Sequence, residues 1–206
     1  MSNYTYEFEN RNDKLETYEW DNVWWEHADT EGNARVLYIG DSISCATRRI
    51  ATEVAEEKIF FDGFGTSKAL DNPYFAESVK IFARQQGKRD VILFNNGLHG
   101  WHLNDEEEYA NAYEQMIRFL MGEFENTPIM LLLTTHLADA QRDKRVVARN
   151  RVVLELARKY ELPVVDLYSI TKEHEDLISA DGVHFSKEGY RLLACKLVER
   201  VKEYIK

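Results

Sequence analysis

The chain has 206 residues, within the usual range of one domain, and 44% of them are hydrophobic, which suffices for one core without metals or disulfides. Its net charge of -10 and pI of about 5.2 would repel nucleic-acid phosphates and anionic lipid surfaces. Nucleic acid and membranes are therefore excluded as main partners, and no stretch reaches the ~18 apolar residues of a membrane helix.

Residues 1–33 are rich in aromatic and acidic side chains and show neither a strand pattern nor a linker composition. We expect them to form an extension packed on a domain that spans residues 34–206. The N-terminus lacks a basic start followed by an apolar stretch, so we expect no secretion signal in the chain as written. We expect a soluble monomer or homodimer, cytoplasmic as written, or periplasmic or secreted if a signal peptide was trimmed.

Beyond residue 34, short apolar runs alternate with helical patterns, which indicates a parallel sheet with crossover helices. Runs such as Val91 to Phe94 are apolar on both faces, as is typical of strands covered by helices on both sides. The predicted strands are Arg35 to Ile39, Lys58 to Phe61, Asp90 to Phe94, Ile129 to Thr134 and Pro163 to Asp166. The predicted helices are Cys45 to Glu57, Tyr74 to Gln86, Glu106 to Glu123, Ala140 to Tyr160 and Ser186 to Tyr204.

In an open α/β sheet, ligands bind beyond the carboxyl ends of the strands, so the residues that follow each strand are the candidates for chemistry. Ser42 follows the first predicted strand and precedes a helix, whose N-terminal dipole favours negative charge beside it. A serine at such a turn is a candidate nucleophile, provided that a histidine and a carboxylate lie within reach. Alternatively, Asp41 and Ser42 only cap the helix.

A second candidate is the segment Asp181-Gly-Val-His184, directly before the last predicted helix. A spacing of three residues lets one loop present a carboxylate and an imidazole together, so that Asp181 orients the ring of His184. Taken by itself, the same segment is also compatible with an Asp-Gly turn that carries a surface histidine.

Together these segments resemble the SGNH hydrolases, also called the GDSL family. The first family block resembles Val36 to Ser44, and the last resembles Asp181 to Tyr190. Phe61 to Ser67 resembles the second block, whose glycine donates a backbone N–H to the oxyanion; Gly65 is the better match and Gly63 the second choice. The resemblance spans roughly residues 34–204, and three blocks in the right order and strand positions are more specific than any one alone.

The third block departs from the family pattern, which usually reads Gly-X-Asn-Asp after the third strand. This chain has Asn95-Asn96-Gly97-Leu98-His99-Gly100-Trp101 instead. In that register His99 takes the place of the oxyanion-binding asparagine, and a neutral imidazole N–H can donate as an amide does. Two alternatives stay open at this point: Asn96 serves instead, or both asparagines satisfy the backbone and His99 only packs.

The resemblance implies a three-layer α/β/α sandwich with a five-stranded parallel sheet in the flavodoxin-like order 2-1-3-4-5. It also implies a serine esterase that forms an acyl-enzyme on Ser42, with His184 and Asp181 as proton-handling partners and an oxyanion hole made by Ser42, Gly65 and either His99 or Asn96. Similar proteins often remove acetyl groups from sugars, so a small-molecule or glycan ester is the expected substrate. A lipase, a thioesterase and a non-catalytic binding module on this fold are the alternatives.

Other polar groups are weaker candidates. Asp41, Trp101 and His102 are expected to contact substrate, although core packing explains Trp101 and His102 equally well. The remaining histidines lack the spacing of metal ligands, so we expect no metal and no other cofactor. Arg142 to Arg151 is interpreted as the solvated face of a helix. Cys45 and Cys195 are expected to be buried free thiols.

Overall fold

The computed structural model describes residue 15 and residues 18–205. The rest of the predicted extension, residues 1–14, 16 and 17, lies outside the described residues. The described chain has an α/β fold with one mixed sheet of six strands. The strands are β1 (Asp21–Trp24), β2 (Ala34–Gly40), β3 (Ile59–Thr66), β4 (Val91–Phe94), β5 (Ile129–Leu132) and β6 (Val164–Val165). The helices are α1 (Ser42–Val54), α2 (Phe75–Gln86), α3 (Glu106–Glu123), α4 (Ala140–Tyr160), α5 (Leu167–Glu173) and α6 (Lys187–Val201), with a 3₁₀ turn at Glu175–Leu177.

The strand order is β1-β3-β2-β4-β5-β6, and every neighbouring pair is parallel except β1 with β3. The prediction of five strands, all parallel, is therefore incomplete, because β1 in the N-terminal extension adds a sixth, antiparallel strand. All four residues of β1 are exposed. An edge strand exposed on both faces has no apolar alternation, which is why its sequence showed no strand pattern.

The two faces of the sheet carry separate apolar clusters. In β2, Val36 and Tyr38 pack with residues of α1 and α6, whereas Leu37 and Ile39 pack with residues of α2, α3 and α4. All four side chains are at most 2% exposed. Burial on both faces explains the continuous apolar runs of the central strands, and it leaves the strand ends as the accessible part of the sheet.

Asp side chains define where several helices begin. Asp105 and Asp139 accept from backbone N–H groups at the starts of α3 and α4, whose bounds coincide with the prediction. Asp41 does the same for α1, which therefore begins at Ser42 and not at the predicted Cys45. Strand β3 continues past the predicted end at Phe61 to Thr66, because its glycines pair with both neighbouring strands. As a result Gly63 and Gly65 lie within the strand rather than after it.

The segment between β1 and β2 is fixed by a buried ion pair. Nη1 of Arg35 lies 2.9 Å from Oδ1 of Asp62, a fully buried carboxylate. The same guanidinium donates to the backbone carbonyls of Glu26, His27 and Thr30. These charge-assisted bonds hold residues 26–30 against the sheet.

The cysteine prediction is wrong for Cys195, which is exposed, whereas Cys45 is half-buried; both thiols are free. Cys195 follows Leu193 and Ala194, which belong to the buried stripe of α6, so its own position on the helix faces solvent. Among the described residues, none of the helices combines the length and apolar content needed to cross a membrane.

Candidate active site

Ser42 stands at the point where a buried strand becomes a helix. Strand β2 ends at Gly40, and Oδ1 of Asp41 accepts from the N–H of Ile43 at 2.9 Å, which makes Asp41 the N-cap of α1. Ser42 is therefore the first helical residue, and its side chain is half-buried. The unpaired N–H groups and the dipole of the helix favour negative charge at this position.

The segment Asp181 to His184 forms a tight loop around the Asp181 carboxylate. Oδ1 of Asp181 accepts from the backbone N–H groups of Val183 and His184, both at 2.9 Å, and from the hydroxyl of Ser179. Gly182 has a φ of 75°, the left-handed conformation in which glycine costs least. The N–H groups of His184 and Val183 hold the pKa of Asp181 well below its ordinary value. Asp181 is therefore ionised and can only accept hydrogen bonds.

Ser42, His184 and Asp181 form one hydrogen-bonded chain. Nδ1 of His184 lies 2.7 Å from Oδ2 of Asp181, and Nε2 lies 2.8 Å from Oγ of Ser42. Because ionised Asp181 only accepts, Nδ1 carries the proton and Nε2 of the neutral ring accepts from the Ser42 hydroxyl. This arrangement has the geometry required for a base to take the proton of a nucleophilic hydroxyl.

Gly65 is the glycine of the second block that lies nearer the nucleophile. It pairs with Gly40, two residues before Ser42, whereas Gly63 pairs with Tyr38 deeper in the sheet. A Cβ added to Gly65 would lie 2.2 Å from Sγ of Cys45 and 3.3 Å from the carbonyl oxygen of Asp41. A side chain at position 65 would therefore collide with the first turn of α1, and only glycine fits without a shift.

The loop after β4 carries both candidates for the third oxyanion donor. Asn96 is fully buried, and its Nδ2 donates to the carbonyl of Lys68 at 2.8 Å. His99 is half-buried and close enough to Asp41 to oppose electrostatically the rise that burial causes in the pKa of that carboxyl. These contacts favour His99 over Asn96 as the side chain that faces the site.

Arg149 of α4 is bound to the backbone of this loop. The residue is only 4% exposed, and its guanidinium donates to the carbonyls of Gly97, His99 and Gly100 at 3.0, 2.7 and 2.7 Å. It donates over a longer distance to the carbonyl of Leu103. The interpretation of Arg142 to Arg151 as a solvated face is wrong for this residue. The signal was present in the sequence, because Arg149 stands three residues after Val146 and four before Val153, both in the buried stripe.

Trp101 and His102 make contacts of their own. The ring of Trp101 packs against guanidinium groups of α4, with Cζ of Arg145 and Arg149 both 4.7 Å from its centroid. Nε2 of His102 lies 3.0 Å from Oδ1 of Asp71. Asp41 is only 2% exposed and caps α1, which favours a structural role over the predicted substrate contact. For Trp101 and His102, contact with substrate stays a prediction.

Among the described residues, no cluster of three or more His, Cys, Asp or Glu could hold a metal.

Comparison with known proteins places the chain in a family. The model of the GDSL-like Lipase/Acylhydrolase family matches residues 38–192, which include Ser42, Asp181 and His184. The chain belongs to this family, whose members are esterases and acylhydrolases. No curated protein sequence matches the chain significantly.

Solved structures share the fold at low identity. A lipase/acylhydrolase from Enterococcus faecalis superimposes with a TM-score of 0.64 at 18% identity, covering 84% of this chain and 97% of its own. The acetyl xylan esterase AlAXEase gives 0.66 at 17% identity, with 81% and 99% covered. The catalytic domain of peptidoglycan O-acetyltransferase A from Streptococcus pneumoniae gives 0.63 at 14%, with 84% and 94% covered. An acylhydrolase, an acetyl xylan esterase and an acetyltransferase domain thus have the same fold as this chain.

Proposed function

We propose that the protein is a serine esterase that hydrolyses short-chain esters, acetyl esters of carbohydrates in particular, through an acyl-enzyme on Ser42. The hydrogen-bonded chain from Ser42 through His184 to Asp181 is the observation that carries the proposal. Oγ of Ser42 attacks the ester carbonyl while Nε2 of His184 takes the hydroxyl proton. His184 then gives this proton to the leaving alcohol oxygen, and the acyl group stays on Ser42.

In the second half of the reaction, His184 takes a proton from water, whose oxygen attacks the acyl carbonyl. The Ser42–acyl bond breaks, the proton returns to Oγ, and the acid leaves. Ionised Asp181 keeps the imidazole in the tautomer that both half-reactions need. The imidazolium formed in each half-reaction is stabilised by the same carboxylate.

The oxyanion formed at the carbonyl needs donors that are fixed before the reaction begins. We assign the backbone N–H groups of Ser42 and Gly65 and a ring N–H of His99 to this role. His99 is preferred to Asn96 because the Asn96 amide is fully buried and already donates to Lys68. Donors of this kind typically contribute on the order of 10²-fold or more in turnover each.

Solved structures of the same fold support a short acyl group. Structures of the same fold include an acetyl xylan esterase and an acetyl esterase crystallised with an acetate ion. A carbohydrate acetyl ester is therefore preferred to the long-chain ester of a lipase.

The experiment combines fluorophosphonate labelling and peptide mapping with hydrolysis of p-nitrophenyl acetate and octanoate. We expect an adduct on Ser42, acetate preferred by about tenfold or more, and loss of kcat by on the order of 10⁴-fold or more in Ser42→Ala. Ser169→Ala, a serine exchange on α5, is the matched control and should keep full activity. Preference for octanoate would favour a lipase, and absence of both adduct and turnover would favour a non-catalytic binding module.

A further inference from the structure

The segment Glu19 to Asp21 contacts the residues that follow β3, at the carboxyl end of the parallel strands, where the candidate site lies. The N–H of Trp20 donates to Oγ of Ser67 at 2.9 Å, and the N–H of Ser67 donates back to the carbonyl of Trp20 at 3.1 Å. The Ser67 hydroxyl donates to Glu19, and Lys68 pairs with Asp21 at 2.6 Å. Ser67 is fully buried, and its backbone and its hydroxyl together hold the segment in place.

This position brings Trp20 against His99. The two ring centroids are 6.0 Å apart with an interplanar angle of 79°, an edge-to-face contact. Trp20 is half-buried. Lys68, which pairs with Asp21, also contacts the loop of His99, because its carbonyl accepts from the Asn96 amide. Hydrogen bonds and an ion pair therefore connect the N-terminal segment, the end of β3 and the loop after β4.

The His99 ring must be held in one orientation to act as an oxyanion donor. Its ring N–H lies at the end of a side chain with two free torsions, and a displacement of about 1 Å from the productive geometry can cost on the order of 10²-fold in rate. Arg149 fixes the backbone at His99 by donating to its carbonyl, whereas Trp20 contacts the ring itself. The edge-to-face contact with Trp20 restricts the plane of the ring itself.

We infer that Trp20 is a positioning residue of the active site, which holds the His99 ring in the orientation that donates to the oxyanion. The inference rests on the proposed esterase function. Trp20 lies outside residues 38–192, the span that the family model matches.

A double-mutant cycle on the full chain tests whether Trp20 acts through His99. With p-nitrophenyl acetate, we expect His99→Ala to lower kcat by on the order of 10²-fold and Trp20→Ala by about tenfold. In the His99→Ala background, Trp20→Ala should cost less than about twofold, because the donor that it positions is gone. Trp20→Phe should restore most of the activity, since it keeps an aromatic edge at this position. Equal losses in both backgrounds, or no loss in either, would overturn the inference.

Trp24→Ala is the matched control. Trp24 lies four residues further along the same segment, and its ring packs on Arg49, with the Arg49 Cζ 5.0 Å from the ring centroid. We expect wild-type kcat for this variant. Thermal unfolding of every variant shows whether it is folded, and Trp20→Leu, which keeps an apolar side chain but no aromatic edge, replaces Trp20→Ala in the cycle if the latter fails to fold.

The histidine ring signals in ¹⁵N-edited NMR give a readout that does not need turnover. Trp20→Ala should shift the ring signals of His99, whereas Trp24→Ala should not. If wild type neither labels nor hydrolyses esters, the proposed function fails while this shift still tests the contact. If wild type is active and neither kcat nor the His99 signals respond to Trp20→Ala, the inference fails and the esterase function stands.

Discussion

The backbone N–H of Ala138 donates to the carbonyl of Gly182 at 3.0 Å, which ties the loop after β5 to the loop of Asp181 and His184. A Cβ on Gly182 would lie 3.3 Å from that of Ala138, so the two loops are also in close contact. The loop that carries the proposed base is therefore fixed at both ends, by Ala138 on one side and by the start of α6 on the other. Its geometry is set before substrate arrives, as preorganised catalysis requires.

Asp181→Asn should lower kcat by on the order of 10²- to 10⁴-fold at little cost in stability. The amide would donate to Nδ1 of His184 where the carboxylate now accepts, which selects the tautomer that cannot take the Ser42 proton. The thermal midpoint should hardly change, because the Asp181 side chain is 53% exposed. Steady-state kinetics beside Asp176→Asn, an exposed carboxylate of the neighbouring 3₁₀ turn, provide the check. Activity within about threefold of wild type would remove Asp181 from the mechanism.

Arg149→Lys should destabilise the protein and lower kcat together. A lysine ammonium cannot reach the set of carbonyls that the planar guanidinium satisfies, so at least one stays buried without a donor, at about 1–3 kcal/mol. The loop of His99 would move with it. Arg142→Lys, exposed on the same helix and beside the same Trp101 ring, should stay within about 0.5 kcal/mol of wild type. A lower melting temperature with unchanged kcat would show that Arg149 does not position the site.

Gly65→Ala should lower both the melting temperature and kcat, because the new methyl group would overlap Sγ of Cys45. Overpacking of this kind costs about 1–3 kcal/mol. Cys45→Ala in the same chain removes the sulfur and should recover most of the lost stability. A thermal-unfolding cycle of the four proteins measures the coupling. Additive effects would mean that the clash with the Asp41 carbonyl dominates instead.

Glu114→Gln should make the stability of the protein less sensitive to acid. The Tyr160 hydroxyl, Lys159 and Arg118 lower the pKa of Glu114 to about 2. A carboxyl whose folded pKa is depressed stabilises the fold above its unfolded pKa of about 4.3 and loses that contribution as the pH falls toward 2. The variant should therefore be less stable than wild type at pH 7, with a gap that closes between about pH 4.3 and 2. Urea unfolding across this range tests it, with Glu107→Gln as the exposed control on the same helix.

The sequence was informative wherever the structure depends on neighbours along the chain. Ser42 could be found from a strand followed by a capped helix, and Asp181 with His184 from a spacing that closes one loop. Helices α3 and α4 could be bounded because their caps are single local residues. Burial on both faces made the central strands visible as continuous apolar runs.

What the sequence did not show depends on contacts between distant segments. Strand β1 has no pattern of its own and exists because the edge of β3 offers it a partner. Arg149 resembles its exposed neighbours in composition, and only the carbonyls of a remote loop explain its burial. The contact of Trp20 with His99 joins a residue outside the family's blocks to one in the third block, so no local motif predicts it.

The proposed oxyanion hole has two donors on the main chain and one on a side chain. Exchange of side chains cannot delete the N–H of Ser42 or Gly65, short of introducing proline, because every other residue brings the same group. The third donor is the one that sequence change can replace, and there an imidazole stands where the family usually has an amide. A neutral imidazole carries one N–H where a primary amide carries two, so in the proposed hole the tautomer of His99 decides which ring nitrogen can donate.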